Sequence, residues 1–382
     1  MKISAIFLQL FIILFSVQIL SQELKEVTFV IRTPGIPENS VVTITGNHEA
    51  LGNWDPQVVE LNRDATESWS KTIVLPTGKR IEFKITRGSW ETEAVYDGET
   101  IPDNHVLFVS ADTTVYLTVP YWKDRIEIKT AGGITGSVEY IHNFYGTGLL
   151  PRDIIIWLPP SYNIYKNLRY PVIYFHDGQN SVNPATSFGG VDWQIDETAD
   201  SLIEKKQIDE FILVGIYNTI NRRNEYSPGD TGNAYMNFIV NELKPVIDGR
   251  YRTKPQRDFT YTMGSSMGGL ISFMLVWNYP EVFSKAVCVS PAFKIRGFDY
   301  LSPVASYKGP KKDIKIYIDN GGIGLEDSLQ AGINEMLELL QSFGYKLGED
   351  LIWYKDKYAE HNEKDWAKRV WRHLTFLLGR KY

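Results

Sequence analysis

The chain reads as an α/β protein, a doubly wound sheet domain preceded by a small all-β sandwich, and three observations predict this. Residues 23–122 hold short runs of alternating apolar and polar residues separated by turn signals. Residues 137–382 alternate strand-like apolar runs with helical segments. Between them, residues 123–136 read as a linker that ends in Gly132-Gly133-Ile134-Thr135-Gly136.

The length of 382 residues suggests more than one domain. Ahead of the sandwich, Lys2, the apolar run Ile6 to Leu20 and Ser21-Gln22 read as a signal peptide over residues 1–21. The run is shorter than the ~20 residues a membrane-spanning helix needs, and no other stretch reads as one. A secreted or periplasmic protein is expected, with no lipid-attachment Cys near the cleavage point. The formal net charge of −6 argues against nucleic acid as a partner, because phosphate binding needs a basic surface. Cys288 is the only cysteine, so an intramolecular disulfide is excluded, and its apolar run reads as a buried strand.

In the first part, strands are expected at Val27 to Ile31, Val41 to Thr45, Trp69 to Leu75, Ile81 to Ile85 and Thr114 to Val119. Pro34-Gly35, Pro76-Thr77-Gly78 and Asp97-Gly98 mark turns. This spacing of short strands is that of a β-sandwich. In the second part, strands are expected at Asp153 to Leu158, Val172 to Phe175, Phe211 to Ile216, Phe259 to Met263, Ala286 to Ser290, Ile314 to Asp319 and Leu351 to Tyr354. Helices are expected at Asp192 to Lys205, Ala234 to Asp248 and Gly269 to Asn278.

Gly264-Ser265-Ser266-Met267-Gly268 lies between a strand and a helix, the setting of a nucleophile elbow. A serine there sits on a sharp turn that lifts its hydroxyl above the sheet, and side chains two positions away on either side would clash with the turn. Ser266 has glycines at both of those positions and Ser265 does not, so Ser266 is the candidate nucleophile. The backbone N–H of Met267 is the expected first oxyanion donor.

With this elbow, residues 137–380 resemble the esterase D-like branch of α/β-hydrolases, which includes feruloyl, acetyl-xylan and siderophore esterases and S-formylglutathione hydrolases. The resemblance rests on Tyr174-Phe175-His176-Asp177-Gly178-Gln179-Asn180, Arg223-Asn224-Glu225-Tyr226-Ser227-Pro228, Ser290-Pro291-Ala292-Phe293 and Glu360-His361-Asn362, in the family's order. It implies ester hydrolysis, with the second oxyanion donor at the backbone N–H of Gln179 and Gly178 letting the chain approach the substrate. The fold's order of serine, acid, histidine makes His361 the base. His176 precedes the serine and is read as a loop brace, and His373 lies in an amphipathic terminal helix. The acid should follow the strand Ile314 to Ile318, where Asp319, Glu326 and Asp327 stand. Likeness to the Gly-x-x-Asp loop of S-formylglutathione hydrolases favours Glu326, with two extra residues in the loop and Asp319 as runner-up.

Residues 41–110 resemble a starch-binding module of carbohydrate-binding family 20. Gly46 to Trp54, Leu75 to Gly78, Ile81 to Ile85 and Gly88-Ser89-Trp90-Glu91 carry the likeness. It implies a sugar platform of Trp54, Lys84 and Trp90, with Asn104 as a further candidate, and an α-glucan as partner. Such modules also serve as spacers. The expected substrate is an acylated carbohydrate or other ester. The rivals are a siderophore esterase, toward which Arg222 and Arg223 point weakly, and a non-catalytic glycan-binding protein. No metal-ligand spacing, phosphate loop or dinucleotide fingerprint is present, and no cofactor is expected.

Overall fold

A computed structural model describes residues 23–37, 39–98, 101–126, 133–295 and 298–380. The expected signal peptide at 1–21 lies outside these residues, as does part of the expected linker. The described residues form two compact units, those up to Gly88 with 104–119, and those of 89–103 with the ones from Pro120 onward.

The first unit holds two sheets. Strands at Asn62–Ala65, Ser68–Pro76, Leu24–Arg32 and Thr113–Thr118 lie in that order in one sheet, and the first and last strands in sequence pair in parallel. Thr43–Gly46, Arg80–Thr86 and His105–Phe108 make the other. The alternation explains the core. Val27, Phe29 and Ile31 point inward and are fully buried, as are Ile44 and Leu75, and Phe29 meets Phe83 edge-to-face at 5.0 Å.

The second unit is built on an eight-stranded sheet. Its strands are β1 (Ser137–Phe144), β2 (Arg152–Leu158), β3 (Val172–His176), β4 (Ile212–Ile216), β5 (Thr260–Ser265), β6 (Lys285–Val289), β7 (Lys315–Asn320) and β8 (Leu351–Lys355). Their order is β1-β2-β4-β3-β5-β6-β7-β8. The pairings β1–β2 and β2–β4 are antiparallel and the rest parallel. Helices α1 (Ile195–Glu204), α2 (Met267–Asn278), α3 (Leu325–Ser342) and α4 (Val370–Leu378) cover the sheet.

The central strands are apolar throughout because both faces are covered. Val172 and Tyr174 enter one core with α2 and α3, whereas Ile173 and Phe175 enter the other with α1 and α4. Helix α2 is buried along nearly its whole length, so its sequence is apolar all round. The strand order reverses at β3: its chain continues to β4 on one side while β5 pairs on the other. The loops leaving the carboxyl ends of β3 and β5 therefore meet at the switch point, where open α/β sheets bind their ligands.

Candidate active site

Strand β5 hands over to α2 through Ser266, whose backbone lies at φ 57°, ψ −119°. A non-glycine residue held there costs on the order of 1–3 kcal/mol and persists only if its surroundings fix it. They do: the Ser266 N–H donates to the Val289 carbonyl at 2.8 Å, and the Ala292 N–H donates to the Ser266 carbonyl at 3.1 Å. The glycines are needed for contact. A Cβ on Gly264 would stand 2.8 Å from the Gly268 backbone, and one on Gly269 would stand 3.0 Å from the Val289 carbonyl. Ser265 is buried at the end of β5, and Ser266 is half-buried.

His361 and Glu326 meet. His361 follows β8 and precedes a short helix, Glu363–Ala367, that is capped by the Asn362 side chain. Its Nδ1 lies 3.0 Å from Glu326 Oε1 in the first turn of α3. The loop after β7 carries two glycines at this place, Gly321 and Gly322. A Cβ on Gly321 would lie 2.3 Å from the Ala359 carbonyl, and one on Gly322 would lie 2.7 Å from that of Lys357, so only glycines let this loop lie against the histidine loop. Glu326 Oε1 also accepts from the Ser290 hydroxyl at 2.6 Å, and that hydroxyl accepts from Trp366 Nε1 at 3.0 Å. The Trp366 ring stands edge-on to His361 at 4.9 Å. Burial opposes ionisation of Glu326, but the His361 charge and the hydrogen bonds from His361 and Ser290 outweigh it and hold the carboxyl below its ordinary range.

Asp319, the runner-up, is engaged elsewhere. His373 Nε2 lies 2.6 Å from its Oδ2, and Arg369 reaches both of its oxygens at 3.2 and 3.3 Å, all three residues being buried. Asp327 neighbours Glu326 in the first turn of α3 and is exposed.

The loop after β3 begins with Asp177 in the left-handed region at φ 60°. Its carboxylate takes two hydrogen bonds from Arg222 and one from Asn218 Nδ2, each at 2.7 Å. Behind it, His176 is fully buried between the Tyr235 hydroxyl and Thr262 Oγ1, at 3.1 and 3.0 Å, and burial pushes its pKa down to about 3. It is a neutral brace. Gly178 has a different reason from the one expected: a Cβ there would come within 2.2 Å of the Gly215 backbone in β4, so packing against the sheet demands the glycine. Gln179 is pinned by its side-chain oxygen, which accepts from the Asn218 N–H at 3.2 Å, and by its carbonyl, which accepts from Thr186 Oγ1 at 2.7 Å. Among the described residues, the backbone N–H groups of Gln179 and Met267 donate to no carbonyl outside their own helical turns.

Several contributors carried no sequence signal of their role. Ser290 and Trp366 bracket the Glu326–His361 pair, and Arg222 fixes the loop after β3. Glu225 makes a fully buried, two-pronged ion pair with Arg152 at 2.8 and 2.9 Å. Segment 223–228 gave a family likeness, but its work is bracing: Tyr226 accepts the Asp177 N–H at 3.1 Å.

The expected sugar platform divides between the two units. Trp54 and Lys84 belong to the first unit and Trp90 to the second. Trp54 closes a short helical turn at φ 64° and is half-buried. Lys84 retains 5% exposure and acts with burial to lower the pKa of His105. Trp90 is half-buried, edge-on to Phe188 at 4.8 Å. Asn104 donates to Glu82 at 2.9 Å.

Comparison with known proteins finds a match for each part of the chain, and the match to the first part spans Trp54, Lys84 and Trp90 together. The Esterase family model matches residues 150–377, and the starch binding domain model matches residues 25–119. The uncharacterized protein YjcH of Bacillus subtilis is 32% identical over 142 residues, 36% of this chain and 55% of that protein. An alpha-amylase of Niallia circulans is 37% identical over 26% of this chain and 8% of its own. An endo-1,4-beta-xylanase/feruloyl esterase of Xylanibacter ruminicola is 28% identical over 50% of this chain and 25% of its own. The chain thus spans about half of YjcH and less of the two larger enzymes. Among solved structures, the enterobactin esterase FES of Shigella flexneri shares the fold over 94% of this chain and 95% of its own, with a TM-score of 0.55 at 15% identity. A ferulic acid esterase shares it over 63% of this chain and 97% of its own, with a TM-score of 0.53 at 19% identity.

Proposed function

The chain belongs to the Esterase family, and from that premise we propose that it is a secreted serine hydrolase that cleaves carboxylic esters through an acyl-enzyme. The observation that carries this reading is the turn from Val289 to Ala292. Its backbone grips Ser266 from both sides, while the hydroxyl of Ser290 within it reaches the carboxylate bound to His361. One turn thus fixes the strained serine and orients the histidine's partner.

In the proposed reaction Ser266 Oγ attacks the ester carbonyl as His361 Nε2 takes its proton. Glu326 holds the proton on Nδ1 and stabilises the imidazolium. The N–H groups of Met267 and Gln179 receive the oxyanion. Collapse passes the proton to the leaving alcohol. Water, deprotonated by His361, then attacks the acyl-enzyme, the acid leaves, and Ser266 regains its proton.

The proposed substrate is an acylated carbohydrate. The starch binding domain match and the feruloyl esterase relative support it. A siderophore ester is the second reading, favoured by the fold shared with enterobactin esterase along nearly the whole chain. Against it, Arg222 commits its fork to Asp177, which leaves less positive charge for a ferric chelate. The apolar run after Lys2 supports secretion, and no helix among the described residues is long and apolar enough to cross a membrane.

The test is a panel of aryl acetates, methyl ferulate and a cyclic catecholate ester, run with a pull-down on insoluble starch. Hydrolysis of the first two with retention on starch supports the carbohydrate reading. Turnover of the catecholate alone replaces it with the second, and no turnover at all ends the enzymatic reading.

A further inference from the structure

Two groups of the proposed site come from loops far apart in the chain, the Gln179 N–H from the loop after β3 and His361 from the loop after β8. Both must meet one transition state, and a misplacement of about 1 Å between such groups can cost roughly 100-fold in rate. Asn180, next to Gln179, joins the two loops and is 6% exposed. Its Oδ1 accepts from the Phe188 N–H at 2.9 Å, and its Nδ2 donates to Glu363 Oε1 at 3.2 Å. Glu363 opens the short helix that follows His361. The Asn180 main chain is held as well: its N–H donates to the Asp177 carbonyl at 2.9 Å, and its carbonyl accepts from the Trp193 N–H at 2.8 Å. Arg222 closes a second path, since its fork holds Asp177 and the Glu363 charge acts on it too. A glutamate in a first helical turn would by itself only complement the helix dipole. That role does not call for a buried amide facing it from 183 residues away.

We propose that Asn180 is a positioning residue, one that sets the oxyanion loop against the histidine loop through Glu363; this role rests on the ester hydrolysis proposed above. The residue type follows from its two partners. One is an N–H and the other a carboxylate, so the side chain between them must accept on one side and donate on the other. Asparagine does both without charge. Aspartate has nearly the same size but would set a second carboxylate against Glu363, which loses the bond and adds like-charge repulsion. The Gln179 N–H would then lose its fixed place relative to the histidine loop. An oxyanion donor acts on charge that develops in the transition state, so its displacement is read in kcat and little in KM.

The full chain is assayed on an aryl acetate, with melting followed alongside and Ser266→Ala as the reference for serine-dependent turnover. Asn180→Asp should lower kcat by about 100-fold and leave KM within about threefold. Glu363→Gln keeps an acceptor for the Asn180 amide and should cost no more than about threefold. Together the two changes reverse the pair: the introduced amide donates to the introduced carboxylate, which still accepts from the Phe188 N–H. The double variant should therefore regain at least about tenfold in kcat over Asn180→Asp, a rescue that loss of packing alone does not give. Glu363→Ala, at a half-buried position, carries the test if Asn180→Asp fails to fold. It removes acceptor and charge together and should lower kcat about tenfold, more than Glu363→Gln, which removes the charge alone. Serine-dependent turnover that Asn180→Asp leaves at the parental kcat overturns the proposal. So does a double variant no faster than Asn180→Asp, or equal kcat for Glu363→Ala and Glu363→Gln. Turnover that survives Ser266→Ala, or none in the parent, overturns instead the esterase reading on which the role of Asn180 rests.

Discussion

Two histidine–carboxylate pairs stand at the carboxyl ends of β7 and β8, one built from Glu326 and His361, the other from Asp319 and His373. Both carboxylates are fully buried, and interaction with the partner holds both below the ordinary carboxylate range against the opposing effect of burial. They differ in what else is present. Asp319 also pairs with a guanidinium, that of Arg369, and the His373 side chain is wholly enclosed. Glu326 has a neutral hydroxyl instead, and the His361 side chain keeps 13% exposure. A carboxylate paired with a buried guanidinium is a neutralised strut. A carboxylate with one partly exposed imidazole leaves the far edge of that imidazole open to other groups. The comparison teaches that the acid is recognised by what its histidine can still reach, since both carboxylates are buried and both are paired.

The largest expected effect tests that assignment. His361→Ala and Ser266→Ala should each lower kcat by roughly three or more orders of magnitude, and they should not add, because the two residues act as a unit. Their unfolding temperatures should stay near the parent's. His373→Ala should do the reverse, keeping activity per folded molecule while losing stability. A His373→Ala enzyme that folds and is inactive would break the comparison.

The carboxylates sharpen it next. Asp319→Asn removes one member of a buried ionic cluster and should cost about 3–5 kcal/mol. Calorimetry should show this as a fall of roughly 10 °C for a domain of this size. Glu326→Gln should cost about two to four orders of magnitude in kcat, by losing hold of the His361 tautomer, with a smaller change in melting. The pH dependence follows the same split. Both carboxyls are depressed in the folded state, so their contributions are present above the unfolded values of about 4 and are lost as pH falls through the folded ones. Asp319→Asn should therefore flatten the acid limb of the stability curve, and Glu326→Gln should flatten it less.

The sequence carried part of this pattern. The elbow was legible because the contact that demands Gly264 lies inside the strand–turn–helix unit, although that of Gly269 reaches β6. The central strands were legible because burial on both faces leaves them uniformly apolar. Edge strands were not: Asn62–Ala65 is exposed at every position, and β1 is buried at none. The expected helix at Ala234 to Asp248 is helical over Asp230–Asn237 and Lys244–Arg250, with a widened turn at Phe238–Leu243 between them. Choosing Glu326 over Asp319 needed the loop after β7, whose Gly321 and Gly322 pack against the Ala359 and Lys357 carbonyls. The reason for Gly178 lay in β4, far along the chain, and could not be read locally. The tryptophans of the first domain's likeness fall in separate units, a division no spacing rule announces.

The smallest effect concerns the residue that joins the two pairs. The Ser290 N–H donates to the Asp319 carbonyl at 2.6 Å, and its hydroxyl donates to the Glu326 carboxylate at 2.6 Å. Its backbone sits at φ 44°, so alanine would keep the same strain and remove only the hydroxyl. Ser290→Ala removes one of the hydrogen bonds to Glu326 Oε1, keeps that from His361, and deprives the Trp366 N–H of its acceptor. Losing a hydrogen bond to a charged group costs about 1.5–3 kcal/mol when measured on stability. The effect on kcat should be smaller, roughly three- to tenfold, because the Glu326–His361 contact itself remains. A carboxylate with one hydrogen bond fewer concentrates its charge on the imidazole and favours the imidazolium. The acid limb of the kcat/KM profile should accordingly move to higher pH, a shift that loss of packing alone would not produce. If Ser290→Ala lowers stability and leaves the profile in place, Ser290 belongs with Asp319 as a strut, and the line between the two pairs runs through Glu326 alone.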